Sequence, residues 1–242
     1  MPRSARLLID GGTYHVLARG NNGQKIFHQD VDYRQYLQLL LRYARPHHLK
    51  VYHFVLMPNH VHLLLEAPIA IGLSKAMHGL NLTYALFYRK RYQYRGHLWQ
   101  GRFRSLLIDR SGSLLECGQY LELNPVQAGL VKDPQTHAWS SYRTYAEGAE
   151  NPVLTPNPLY ATLGASAQER QERYRQFARE MLEQQRPLAS FHPHRFSAGG
   201  PDSITHLEER FGFPRLKRRR GRPNKLLLNR PSHNNASSSD GT

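Results

Sequence analysis

His60 and His62, in the stretch "VYHFVLMPNHVHLLLEAP" (51–68), are separated by a single valine. Side chains alternate along a β-strand, so this spacing puts both imidazoles on one face and leaves Val61, Leu63 and Leu65 for the other. Two imidazoles pointing one way make half of a metal site. Further along the chain, Tyr120 and Asn124 are four residues apart, hence one turn apart on a shared helix face. Pro125 follows Asn124, and proline removes one helical hydrogen bond and disfavours helical geometry in the residue before it. The helix is therefore expected to kink or end at Asn124, with the carboxamide free. An amide oxygen is a hard acceptor, and with two imidazole nitrogens it completes three ligands while leaving positions open for water or phosphate oxygens. Tyr120 would then lie beside a bound divalent ion.

Plainer explanations compete with each assignment. The chain has 14 histidines, so some close pairs are inevitable, and an isolated H-x-H is more often a solvated surface pair. A single helical tyrosine is more often a core residue with its hydroxyl at the rim. The setting favours function: Met57-Pro58-Asn59 breaks two apolar runs with a turn, so His60 opens the second strand of a hairpin, where a side chain is fixed yet reachable. Glu116, one turn before Tyr120, has the chemistry of a proton acceptor or a histidine partner, but is read as a solvated carboxylate. Cys117 is read as a small buried hydrophobe. His53, His192 and His194 are left without a role, because "FHPHRF" has proline between its histidines and no acidic or tyrosine companion.

The elements that must position these groups follow from periodicity. "TYHVLARG" (13–20) alternates as a first strand, and "DVDYRQYLQLLLRYA" places Tyr33, Tyr36, Leu37, Leu40, Leu41 and Ala44 at helical spacing until Pro46. Strands at 50–56 and 60–66 form the hairpin. A second helix runs from Leu73 to Tyr92, a strand spans 102–109, and Ser113 can cap a third helix that continues through "LLECGQYLELNPVQAGLV". The order suits an α+β fold, an antiparallel sheet with helices packed on one face in the split βαβ (ferredoxin-like) arrangement. Residues 1–150 are expected to form this domain. Residues 151–213 are expected to be a helical extension packed on it, with Tyr174, Phe177, Met181 and Leu182 as the apolar stripe of a helix at 166–185 and "SITHLEERFGF" as a further short helix. The remainder, 214–242, lacks the apolar content to fold alone.

Composition limits the partners. With 242 residues, 40% of them hydrophobic, the chain can bury one sizeable core, and its formal net charge of +15 favours a polyanion, nucleic acid before membrane. One cysteine excludes an internal disulfide and a cysteine-rich zinc cluster. The opening "MPRSARLLIDGG" has only a three-residue apolar run and nowhere do eighteen apolar residues follow one another, so a soluble, cytoplasmic, nucleoid-associated protein is expected.

"MPNHVHLLL" together with "YLELNPVQAGLV" closely resembles the REP-associated tyrosine transposases, members of the single-tyrosine HUH superfamily of DNA-cleaving and rejoining enzymes. The resemblance runs from about Gly12 to Tyr142 and, more loosely, through "LYATLG" and "KRRRGRP". It implies that His60 and His62 are metal ligands and Tyr120 the nucleophile, with Asn124 where relatives supply a third ligand. It also implies the same sheet-and-helix sandwich, a magnesium or manganese ion, a 5'-phosphotyrosine intermediate, and single-stranded or hairpin DNA of the repetitive extragenic palindromic kind as partner. No nucleotide cofactor is then needed, and the chain has no G-x-x-x-x-G-K-[ST] loop. The enzyme is expected to act as a monomer or homodimer.

Between Glu66 and Asp109 there is no acidic residue, while Lys75, Arg89, Lys90, Arg91, Arg95, Arg102 and Arg104 are all cationic. Arg91, Arg95, Arg102 and Arg104 are taken as backbone contacts, and Tyr92, Tyr94, Trp99 and Phe103 as platforms for unpaired bases. Tyr84, Phe87 and Tyr88 are assigned to the core. In "KRRRGRP", Arg220 and Arg222 resemble the arginines that AT-hook peptides lay into the minor groove, and a generic basic tail is the alternative. Two other functions fit these residues less well. A DNA-hairpin binder that has lost catalysis would not need His60, His62, Tyr120 and Asn124 intact. A histidine-nucleophile phosphoesterase would want a third histidine at position 64, which is leucine, and a second H-x-[ST] motif.

Overall fold

The computed structural model describes residues 8–108 and 113–183. Arg220 and Arg222, the "KRRRGRP" segment and the short helix expected at "SITHLEERFGF" lie outside the described residues.

Alternation and turn residues set the order β1 (Gly12–Arg19), α1 (Asp30–Ala44), β2 (Lys50–Met57), β3 (His60–Ala67), α2 (Ala70–Tyr92), β4 (Arg104–Ile108), α3 (Ser113–Gln127), α4 (Tyr142–Glu147) and α5 (Ala167–Glu183). The four strands pair antiparallel in the order β2-β3-β1-β4, the split βαβ topology expected from the sequence. The described residues fall within one unit of the chain.

One sheet face, with Tyr14, Val16, Ala18, Phe54, Leu56, Val61, Leu63 and Leu65, is buried under apolar residues of α1 and α2. The other face takes α3: Tyr52, Val55, Met57, Leu64 and Ile108 form a second core with Leu114, Cys117, Tyr120 and Leu121. Helices therefore cover both faces, where a single face was expected. The reason lies in β2, which is buried from Val51 through Met57, as in a strand with no solvent side. α4 and α5 add a third core, in which Leu123, Tyr142, Tyr145, Leu163 and Tyr174 pack together.

Two expected boundaries shift. α2 begins at Ala70 rather than Leu73, and the side chain of Asp10 accepts the Ala70 backbone N–H at 2.7 Å, satisfying one donor of the first turn. α3 does not end at Asn124; it continues through Pro125 to Gln127. Pro125 cannot donate to the carbonyl of Leu121, and the Asn124 side chain replaces that bond, its Nδ2 donating to Leu121 O at 2.8 Å and to Tyr120 O at 3.1 Å.

Candidate active site

Residues directly opposite in an antiparallel pair share a face, so register decides what surrounds the histidines. His60 faces Arg19, and His62 faces Leu17 on one side and Val55 on the other. His15 faces Leu64, and Arg104 faces Leu17. His15, Arg19, His60, His62 and Arg104 therefore line one face of the sheet, the face on which α3 rests. This face brings Tyr120 to the histidine side: it is 5% exposed, in a cluster with Val55, the cross-strand partner of His62, and Leu64, two residues along from it.

The two rings of the H-x-H pair are held in the same way. His60 Nδ1 lies 2.6 Å from Asn59 Oδ1, and Asn59 Nδ2 donates to Gly23 O at 3.1 Å, which fixes which end of the amide faces the imidazole. His62 Nδ1 lies 2.8 Å from His15 Nε2, with the two rings stacked 5.1 Å apart. Among the described residues no hydrogen bond engages Nε2 of either His60 or His62. The rings themselves meet edge to face at 4.8 Å.

Electrostatics keeps all three histidines neutral at pH 7. Burial pulls His15 down to about 4. Burial and then the Arg19 guanidinium pull His60 down to about 4. Burial, followed by His15 and His60, holds His62 well below the usual imidazole range. Neutral imidazole is the form that ligates metal. Burial first, and Cys117 second, push the Tyr120 phenol above its usual value, so it rests protonated.

Among the described residues no three His, Cys, Asp or Glu side chains converge as a complete metal site. A divalent ion on the H-x-H pair therefore calls for an oxygen of another type, and Asn124, with Nδ2 committed to carbonyls of its own helix, keeps Oδ1 to offer. Two neutral imidazoles and one amide oxygen are a donor set that suits such an ion.

The remaining sequence expectations divide. Arg95, Arg102 and Arg104 are exposed. The segment around them closes onto the end of β1 nearest His60, since Asn21 N donates to Leu98 O at 2.8 Å and Gln100 N to Arg19 O at 2.9 Å. Arg91 lies at the end of α2, which covers the sheet face away from the histidines, and it is engaged by Gln29 Oε1 at 2.5 Å and Asp32 Oδ1 at 3.4 Å. Trp99 packs on the α1/α2 core and donates its indole N–H to Asn81 O at 2.8 Å. Phe103, expected as a base platform, is 6% exposed and belongs to the core, because Arg102, Phe103 and Arg104 alternate and only the arginines point out. His15 and Arg19 were missed. Arg19 had a signal, its place at the end of an alternating strand, but its proximity to His60 depends on long-range register.

Residues 9–124, which hold His60, His62, Tyr120 and Asn124, match the family model described as transposase, IS200 like, and over that span the chain is similar to this family. No protein with a curated description matches the chain. A solved structure described as a REP-associated tyrosine transposase bound to a REP hairpin is similar at 19% identity and a TM-score of 0.51, over 65% of this chain and 93% of that one. A Deinococcus radiodurans R1 protein described as a candidate transposase matches at 20% identity and a TM-score of 0.35, over 50% of this chain and 96% of its own. The first of these shares the fold. Among the described residues no helix is long and apolar enough to cross a membrane.

Proposed function

We propose that this chain cuts single-stranded DNA beside short palindromic hairpins of the REP type and rejoins it through a covalent bond to Tyr120. The observation that carries this reading is the packing of Tyr120 onto the sheet face that bears His60 and His62. The hairpin bound by the structural neighbour supports the substrate class.

A divalent ion, magnesium or manganese, held by His60, His62 and Asn124 would orient the phosphodiester and offset its developing charge. In the first step Tyr120 Oη attacks phosphorus; the Oη–P bond forms as the P–O3' bond breaks, the phenol proton is transferred in net to the departing 3'-oxygen, and a 5'-phosphotyrosine remains. The ester retains the free energy of the broken bond, so rejoining to another 3'-hydroxyl reverses the same exchange without a nucleotide cofactor. Arg19 and Arg104, on the histidine face, and Arg95 and Arg102, close to its end, contribute charge for the strand backbone.

The deciding experiment incubates the full chain with labelled hairpin DNA and Mn2+ or Mg2+ and resolves products on a denaturing gel. A protein–DNA adduct is expected with the wild type, none with Tyr120→Phe at unchanged hairpin affinity, and none with His60→Ala. An adduct that persists in Tyr120→Phe overturns the assignment of the nucleophile. Binding without any adduct in the wild type makes the chain a non-catalytic hairpin binder.

A further inference from the structure

His15 stands outside both motifs and outside every role assigned above, yet it is 3% exposed and touches the H-x-H pair. We propose that His15 is a positioning residue: by engaging Nδ1 of His62 it fixes the ring so that Nε2 is the nitrogen offered to a divalent ion. This rests on the reading of His60 and His62 as ligands.

The geometry carries the argument in three steps. First, β1 and β3 put His15 opposite Leu64, diagonal to His62 on the same face, within reach of long or aromatic side chains. Second, His15 Nε2 and His62 Nδ1 lie 2.8 Å apart, so each nitrogen is spent on the other and no ion enters between them. His62 must then ligate through Nε2, with Nδ1 carrying the proton and His15 Nε2 accepting it. Third, His60 repeats the arrangement with a different partner, Asn59 Oδ1 at 2.6 Å. Two neighbouring imidazoles are thus each secured at Nδ1, one by the preceding Asn59 and the other by His15 of β1. Packing alone would be served by leucine, the residue type at the facing position 64. Outer-shell partners of metal-bound histidine typically contribute ~10–100-fold in metal affinity, by fixing the tautomer and ring orientation.

The test is Mn2+ binding to the full chain, followed by electron paramagnetic resonance in the absence of DNA, so that no turnover enters the readout. His15→Leu is expected to weaken Mn2+ binding by ~10–100-fold. Hairpin affinity measured without metal should be unchanged. His15→Gln, whose amide oxygen can accept from Nδ1–H, should recover part of the loss. If His15→Leu does not fold, His15→Phe fills the ring's volume without a nitrogen and carries the same expectation. Wild-type Mn2+ affinity in these variants, alongside lost affinity in His62→Ala, overturns the proposal alone. A loss as complete as that of His62→Ala makes His15 a ligand instead and also overturns it. Unchanged affinity in His62→Ala itself defeats the metal assignment on which the proposal rests.

Discussion

Two histidine sites among the described residues, one at His53 and one at His60 and His62, differ in one respect that separates structure from chemistry. His53, on β2, uses both nitrogens: Nδ1 donates to Glu122 Oε1 at 2.8 Å, Asn157 Nδ2 donates to Nε2 at 2.8 Å, and the ring stacks on Tyr145 at 4.4 Å. Glu122 in turn accepts from Ser141 Oγ, and from Tyr174 Oη at 2.6 Å. Every partner is buried, and α3 comes so close at Gly118 that a Cβ there would collide with the His53 ring. His60 and His62 are secured at one nitrogen each, and among the described residues the other has no partner. A ring engaged at both ends is a fastener, whereas a ring held at one end has something left to bind with.

Substitutions should break this comparison in opposite ways. The largest effect on stability is expected from Glu122→Ala, which strands His53, Ser141 and Tyr174 without their acceptor and should cost ~3–5 kcal/mol in denaturant unfolding. His62→Ala should leave more of the fold intact while removing adduct formation altogether; equal loss of stability in both variants would erase the distinction. Acid should separate the sites next, in chelator-treated protein. His15 and His60 sit at about 4 when folded against about 6.5 unfolded, so the unfolded chain binds more protons and their contribution, full above pH ~6.5, is lost as pH falls towards 4. Melting temperature should drop across that window, and His15→Leu should flatten the drop. Asn124→Ala, which uncaps the carbonyl of Leu121, should cost ~0.5–1.5 kcal/mol as well as cleavage. Smallest, Arg104→Ala should weaken single-strand binding and reduce its salt slope by ~0.7.

The strand order and the H-x-H hairpin were legible because alternation and a Pro-Asn turn are local signals. His15 was not, because its meaning depends on a partner 47 residues away, reached only once β1 and β3 pair. The same holds for His53, whose carboxylate partner lies 69 residues on. Pro125 misled for another reason. The rule that proline ends a helix assumes that nothing replaces the lost donor, and here the preceding side chain does so. Phe103 could have been read correctly from the alternation of "RFR", had the aromatic been weighed as a strand residue before it was weighed as a stacking surface.

Tyr174 Oη and Ser141 Oγ reach Glu122 from α5 and from the start of α4, both beyond residue 124, where the family match stops. The homologous span and the cooperative span are thus of different lengths. A fragment trimmed at residue 124 would leave the Glu122 carboxylate, two positions from Tyr120, with His53 alone of its three partners, and a bare apolar flank around Leu123. Anyone seeking a minimal active piece of this protein should cut no earlier than the end of α5.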